Sequence, residues 1–275
     1  MRRRLFEVVI GVALVAALTF LLLPLLAIFL RIPPGELVRQ LGNDAAVDAL
    51  LVSLKTSVIA HVFILAVGTP AAYALALRRF RGRRLAIALV ELPLVLPPAV
   101  AGIALLAAFG RSGLLGGSLS ALGVSIPFTQ AAVVLAIVFV ASPFYVRQAI
   151  AAFAAVDPAL LDASRTLGAR PFTTFRRVAL PLAAGGLGAG SALAWARGLG
   201  EFGATIMFAG SLQGRTQTLP LAIYAQLARD FDVALAIGGF LIVVSAAVLV
   251  TVKLLPAWTR FESISPIPSA PSASS

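Results

Sequence analysis

The stretch Asp157-Pro158-Ala159-Leu160-Leu161-Asp162-Ala163-Ser164-Arg165-Thr166-Leu167-Gly168, followed by Ala169-Arg170-Pro171, separates two long apolar runs and reads as a short helix with its own caps. The Asp157 carboxylate can accept an N–H of the first turn, Pro158 suits the first helical position, and Gly168 can take the left-handed conformation that ends the helix. Pro171 then restarts a helix through Phe172, Phe175 and Val178 toward Leu180-Pro181. On the first helix Leu160, Ala163, Ser164 and Leu167 share one face, and Asp162 and Arg165 lie on the other. Taken alone, such a segment also suits an amphipathic connector lying on a membrane surface.

Outward from this connector the chain is apolar on both sides. Of its 275 residues 60% are hydrophobic and 12% charged, which removes it from the soluble globular range. Runs of about 20 apolar residues cross a hydrocarbon core as helices, because a helix satisfies its own backbone where water is absent. Six such runs are present: Leu5 to Leu30, Leu50 to Leu77, Leu85 to Phe109, Phe128 to Phe153, Leu182 to Ala209 and Val233 to Leu255. The expected architecture is therefore an all-α membrane protein with six transmembrane helices. The connector, residues 154–181, joins the fourth to the fifth. The first run follows three arginines as a signal peptide would, but its apolar length predicts a retained helix. Residues 263–275 are mostly Ser, Pro and Ala and predict a disordered tail outside the transmembrane domain of residues 1–262.

Charge orients the spans. If the N-terminus is cytoplasmic, fifteen Lys and Arg fall on the inner side, among them Arg78, Arg79, Arg81, Arg83 and Arg84 in one loop and Arg165, Arg170, Arg176 and Arg177 in the connector. Five fall outside: Arg31, Arg39, Arg111, Arg215 and Arg229. Short inner loops carry the positive excess, so both termini and the connector are expected in the cytoplasm. The formal net charge of +11 then reflects membrane orientation, and no nucleic-acid partner is expected.

Several chemistries are absent from the sequence. There is no cysteine and one histidine, His61, so neither a metal site nor a cofactor is expected. No Gly-x-x-x-x-Gly-Lys-Ser/Thr phosphate loop, Gly-x-Ser-x-Gly elbow or His-Glu-x-x-His motif occurs, and no catalytic residues are expected. A transport subunit without its own ATPase site fits these absences. A self-sufficient secondary transporter or channel is the alternative from another class, and an intramembrane enzyme is a third.

Interruptions and charges inside the spans mark candidate path residues. Pro93, Pro97 and Pro98 remove helix hydrogen bonds within the third run, which should bend or break there and can line a path at Pro97, Pro98 and Ala99. The fifth run is rich in small residues from Ala183 to Ser191, a pattern of close packing. Further along, Arg197 and Glu201 stand four apart, expected on one helix face, and either neutralise each other or act beside the path. Ser191, Gly203 and Thr205 complete the lining set. Glu91 is expected to pair with a basic group, and His61 to make an interhelical hydrogen bond.

The connector resembles the cytoplasmic signature of ABC importer permeases: Glu-Ala-Ala, three residues, Gly, nine residues, Ile, one residue, Leu-Pro. Here it reads Asp162-Ala163-Ser164, Gly168, Val178 and Leu180-Pro181, with every interval matching; Asp162 replaces Glu and Ser164 replaces Ala. The stretches Ala196 to Gly210, Gly214 to Tyr224, Pro93 to Pro98 and Ser142 to Arg147 are similar to those of molybdate importer permeases. Sulfate/thiosulfate permeases are similar too but generally carry Tyr and Ser at Phe202 and Ala204.

The resemblance implies the ABC importer permease fold in a bacterial plasma (inner) membrane, arranged as a homodimer. Two cytoplasmic ATP-binding subunits would lie beneath, and a periplasmic or lipid-tethered oxyanion-binding protein above, on loops Gly110 to Pro127 and Ser211 to Asp232. It further implies that the connector is a coupling helix, with Leu160, Asp162, Ala163, Ser164, Arg165 and Gly168 meeting the ATPase. The cargo would be molybdate, possibly tungstate, with sulfate/thiosulfate as the alternative.

Overall fold

The computed structural model describes residues 2–258, with side chains over residues 6–251, so the expected tail at 263–275 lies outside the described residues. The described residues form helices α1 (Arg2–Arg31), α2 (Pro34–Leu41), α3 (Asp44–Leu77), α4 (Arg83–Val95), α5 (Pro98–Phe109), α6 (Gly116–Ala121) and α7 (Gln130–Ala154). They continue as α8 (Pro158–Thr166), α9 (Pro171–Thr174), a π-helical turn (Phe175–Ala179), α10 (Leu180–Leu199), α11 (Gly203–Ala209), α12 (Leu219–Gln226) and α13 (Phe231–Trp258). Among the described residues five helical runs are long and apolar enough to cross a membrane, and the bent α4–α5 pair makes a sixth when its two halves are counted as one broken span.

The break in that pair follows from two consecutive X-Pro steps. A residue before proline is driven out of the α region, and Leu96 (ψ 133°) and Pro97 (ψ 133°) are both extended. Pro98 then opens α5 at a first-turn position, and the axes of α4 and α5 differ by 116°. Pro93 stays inside α4.

α7 is the central pillar. It is enclosed by α3 and α10, and 56% of its most apolar stretch is buried, against none of α1. Between lipid-soluble helices there is no hydrophobic drive to associate, so close van der Waals fit must supply it. α10 meets α7 along a row of glycines spaced by four and then eight residues. A Cβ added to Gly186 would stand 2.5 Å from the Ala152 Cβ, and one on Gly190 would stand 2.9 Å from the Gln148 Cβ. One on Gly198 would stand 2.9 Å from the Ile137 Cγ2. The buried core around this seam includes Ile64, Val133, Ile137, Tyr145, Phe153 and Phe208. A second cluster joins α3, α12 and α13 through Ala46, Ala49, Leu219, Ala222, Val233 and Ile237. α1 touches little but α13 and is apolar all round, as suits a helix facing lipid or another subunit.

The fifth span departs from expectation at both ends. It does not begin after Leu180-Pro181, because Pro171 to Leu199 is one helical run of 29 residues. Proline at 181 would clash with the carbonyl of Arg177 in a regular α-helix. The π-helical turn just before it shifts the pairing: Leu180 N–H donates to Phe175 O, five residues back, and the run continues through the proline. At the other end the helix stops at Leu199 instead of reaching Ala209; Gly200 to Phe202 are non-helical, and α11 follows.

The glycine seam gives a stability prediction. Gly186→Leu should lower the unfolding free energy of the purified chain by about 1–3 kcal/mol through overpacking. Gly11→Leu, where an added Cβ meets nothing within 4 Å, should leave it unchanged. Thermal unfolding in detergent reads both, and equal effects would contradict the seam.

Candidate translocation and coupling sites

The two interrupted spans meet at their interruptions. A Cβ on Gly203, at the start of α11, would stand 2.5 Å from the Pro98 Cβ and 3.3 Å from the Ala99 backbone N. One on Gly102 would stand 2.7 Å from both the Ala204 carbonyl oxygen and the Met207 Cβ. Two glycines, one on each helix, thus allow α5 and α11 to cross in near-backbone contact. Pro97, Pro98 and Ala99 are exposed beside this crossing, and Gly203 is partly so.

Glu201 fastens the second interruption. It is 2% exposed, and its Oε1 accepts the Ala204 N–H at 2.7 Å, satisfying one free donor of the first turn of α11. Its Oε2 lies 2.6 Å from Arg197 Nη2, an ion pair whose angles fall outside those of a hydrogen bond. The expected neutralisation of Arg197 by Glu201 is present, but not on one helix face: α10 ends at Leu199, and the carboxylate folds back from the loop. A buried carboxylate persists only when paired and hydrogen-bonded, and here both conditions are met by residues that the chain break brings together. Thr205 is fully buried, and its hydroxyl has no partner.

Ser191 stands apart from this group. Its hydroxyl lies 2.8 Å from His61 Nε2, and the imidazole packs edge-on against Trp195 with ring centroids 5.1 Å apart. This joins α3 to α10, the interhelical bond expected of His61. Glu91 on α4 lies 3.8 Å from Arg147 on α7.

Thr216, Gln217 and Thr218, in the loop expected to meet the binding protein, are all buried. Thr216 Oγ1 accepts the Leu212 N–H, Gln217 Nε2 donates to Ser211 Oγ, and the following Leu219 N–H donates to Ser53 Oγ of α3 at 2.8 Å. Polar side chains in a loop normally signal a wet surface. Here Thr216 and Ser53 satisfy backbone N–H groups of a segment folded into the bundle, so only part of the Ser211 to Asp232 loop offers an outer surface. The sequence signal was the run of three hydrogen-bonding residues immediately before Leu219-Pro220.

α8 forms as its caps predict. Asp157 Oδ1 accepts the Ala159 N–H at 2.9 Å, and Gly168 has φ +82°. Ala169 N–H bonds back to Ser164 O and closes the C-terminus. Leu161 (3% exposed) anchors the helix to the core, and Ser164 Oγ lies 3.0 Å from Thr174 Oγ1 of α9. The two remaining faces border different cavities. Leu160, Ala163, Ser164 and Leu167 line an open, mainly apolar groove of about 600 Å³ beside Thr173 and Val178. Asp162 and Arg165, ion-paired at 2.8 Å, line another of about 440 Å³. Among the described residues, no cluster of three or more His, Cys, Asp or Glu could hold a metal.

Residues 64–260 match the family described as binding-protein-dependent transport system inner membrane component. The chain belongs to that family and is a multi-pass inner-membrane protein. It is 47% identical over 240 residues, covering 86% of this chain and 90% of the relative, to the molybdenum transport system permease protein ModB of Mycobacterium tuberculosis. It is 33% identical over 254 residues, 91% of this chain and 92% of the relative, to the sulfate transport system permease protein CysT of Salmonella typhimurium. A solved bacterial alginate ABC transporter, in complex with a pentasaccharide-bound periplasmic protein, superposes with a TM-score of 0.73. That match covers 94% of this chain and 95% of the other at 18% identity, and shows the fold. The ABC importer permease fold implied by the connector is the fold of the chain.

The buried ion pair can be tested by a double-mutant cycle. Glu201→Ala should destabilise the chain by about 3–5 kcal/mol, by stranding Arg197. Arg197→Ala/Glu201→Ala should recover part of that loss, giving a non-additive coupling of about 1–3 kcal/mol in thermal or denaturant unfolding. Additive effects would contradict the pairing.

Proposed function

We propose that this chain is the membrane-spanning subunit of an ATP-driven importer that carries molybdate, or the similar tungstate, into the cytoplasm. It works as a homodimer, with two ATP-binding subunits on its cytoplasmic face and an oxyanion-binding protein on the other. The observation that carries the cargo is the 47% identity to a molybdenum permease along 86% of the chain, against 33% for a sulfate permease.

The geometry supports a mechanism. α8 presents its apolar face, Leu160, Ala163 and Leu167, beside an open groove, where an ATP-binding subunit can grip it. α9, the π-helical turn and α10 form one rod of 29 residues, about 43 Å long, from this lever to the interruption at Gly200. When ATP binding draws the two ATP-binding subunits together, the rods turn and the crossing of Gly203 on Pro98 shifts. The path opens outward to receive the anion, and hydrolysis resets it inward. A doubly charged oxyanion needs passing hydrogen-bond donors and clearance rather than a deep charged trap, since strong binding would slow release. Arg197, neutralised by Glu201, is an arginine that does not hold the anion permanently.

Reconstitution with the ATP-binding subunit and the binding protein tests this reading. Molybdate uptake should require ATP, and a tenfold excess of sulfate should not suppress it. Asp162→Lys should reduce ATPase assembly and uptake at least tenfold while membrane insertion is unchanged. Uptake driven by a proton or sodium gradient without the ATP-binding subunit would overturn the proposal, and undiminished assembly of Asp162→Lys would overturn the docking role of α8.

A further inference from the structure

The cavity on the charged side of α8 has a composition that the transport cycle does not explain. It holds about 440 Å³, within the range of roughly 300–1,000 Å³ typical of small-ligand sites. Its walls are the end of α3, the loop after it, the end of α7 and the start of α8. Four arginines, Arg78, Arg79, Arg83 and Arg165, line it against one carboxylate, Asp162, an excess of three positive charges. The remaining lining is apolar and includes Leu77, Val156, Pro158 and Leu161.

Two of these arginines are committed. Arg83 Nε donates to Leu75 O at 2.5 Å, capping the free carbonyl end of α3, and Arg165 is bound to Asp162. Arg78 and Arg79 are exposed, and among the described residues neither has a carboxylate within ion-pair distance. Arg79 and Arg83 also border a neighbouring hollow with Arg84, so the positive field continues around the loop.

Position selects the ligand. Leu77 and Ala154 are the last residues of two spanning helices, which places the cavity where hydrocarbon gives way to headgroups. A phosphate is the natural partner of unpaired guanidinium groups, and an apolar floor beneath a cationic rim matches a molecule with an anionic head and a hydrocarbon body. We infer that this cavity binds the phosphate headgroup of an anionic phospholipid of the adjoining leaflet, against Arg78 and Arg79, with Arg165 and Asp162 of α8 as its far wall. The lipid therefore touches the element that leads to the rod, and membrane composition has a direct hold on the lever. The inference does not depend on the cargo.

Titration of the purified full-length chain in detergent, read by native mass spectrometry, tests it with phosphatidylglycerol and phosphatidylcholine as probes. Phosphatidylglycerol should bind preferentially. Each arginine near an anionic headgroup contributes about fivefold, so Arg78→Gln and Arg79→Gln should each weaken binding about fivefold, and the pair about 25-fold. Arg39→Gln, at the opposite end of the spans, should leave it unchanged. Thermal unfolding and monodispersity report folding, and the single variants stand in if the double variant does not fold. Equal binding of the two lipids, or undiminished phosphatidylglycerol binding by the folded Arg78 and Arg79 variants, would overturn the inference. A third arm adds inorganic phosphate. Displacement of phosphatidylglycerol only at high phosphate concentration supports a membrane source, whereas tight phosphate binding with no lipid preference would reassign the cavity to a soluble anion and overturn the lipid assignment.

Discussion

A backbone N–H or C=O left unpaired in hydrocarbon costs several kcal/mol, so a spanning helix can be interrupted only where protein or water takes over its bonds. This chain interrupts two spans and places the interruptions against each other. Consecutive prolines break the α4–α5 pair; Gly200 to Phe202 break α10 from α11; and Gly203 packs on Pro98 closely enough to exclude any side chain between them. Glu201 then supplies the missing acceptor for Ala204 and a counter-charge for Arg197. Irregular backbone, close packing and the buried charges have one physical cause.

The same economy governs the link between the spans and α8. A proline within a helix normally ends or kinks it, yet the run from Pro171 to Leu199 passes through Pro181 because the π-helical turn reassigns the preceding hydrogen bonds. One continuous helical run thus connects α9 to the end of α10. The Gly186, Gly190 and Gly198 row seats it on α7, where it can turn as a unit. α8 is attached at its base by Leu161 and by the Ser164–Thr174 contact, leaving its other faces accessible.

What could be read from the sequence was what short-range chemistry determines. The caps of α8 depend on Asp157, Pro158 and Gly168 alone, and the broken third span depends on Leu96-Pro97-Pro98. What could not be read depends on neighbours distant in sequence. Gly198 and Gly200 sit two residues apart in one apolar run; the first is a contact surface for α7 and the second lies just beyond the helix end, and composition does not separate these uses. The bond between Ser191 and His61 joins residues 130 positions apart, so Ser191 could be read only as a small polar residue in an apolar run. Thr216 to Thr218 looked like loop surface because the segment they belong to is held against α3, where Ser53 accepts the N–H of Leu219 from far away in sequence. Arg197 and Glu201 were recognised as a pair, but the folded-back geometry needs the helix end that local rules missed.

In the proposed mechanism the run from α9 through α10 moves as one body against α5. The chain contains no cysteine, so pairs of introduced cysteines can carry spin labels without background. In the assembled complex with one labelled copy, labels at Phe172 and Leu193 should remain about 30 Å apart with and without ATP, because both lie on the rod. Labels at Leu193 and Val100 should change their separation when ATP binds. A fixed Leu193–Val100 distance, or a Phe172–Leu193 distance that changes with nucleotide, would contradict the account.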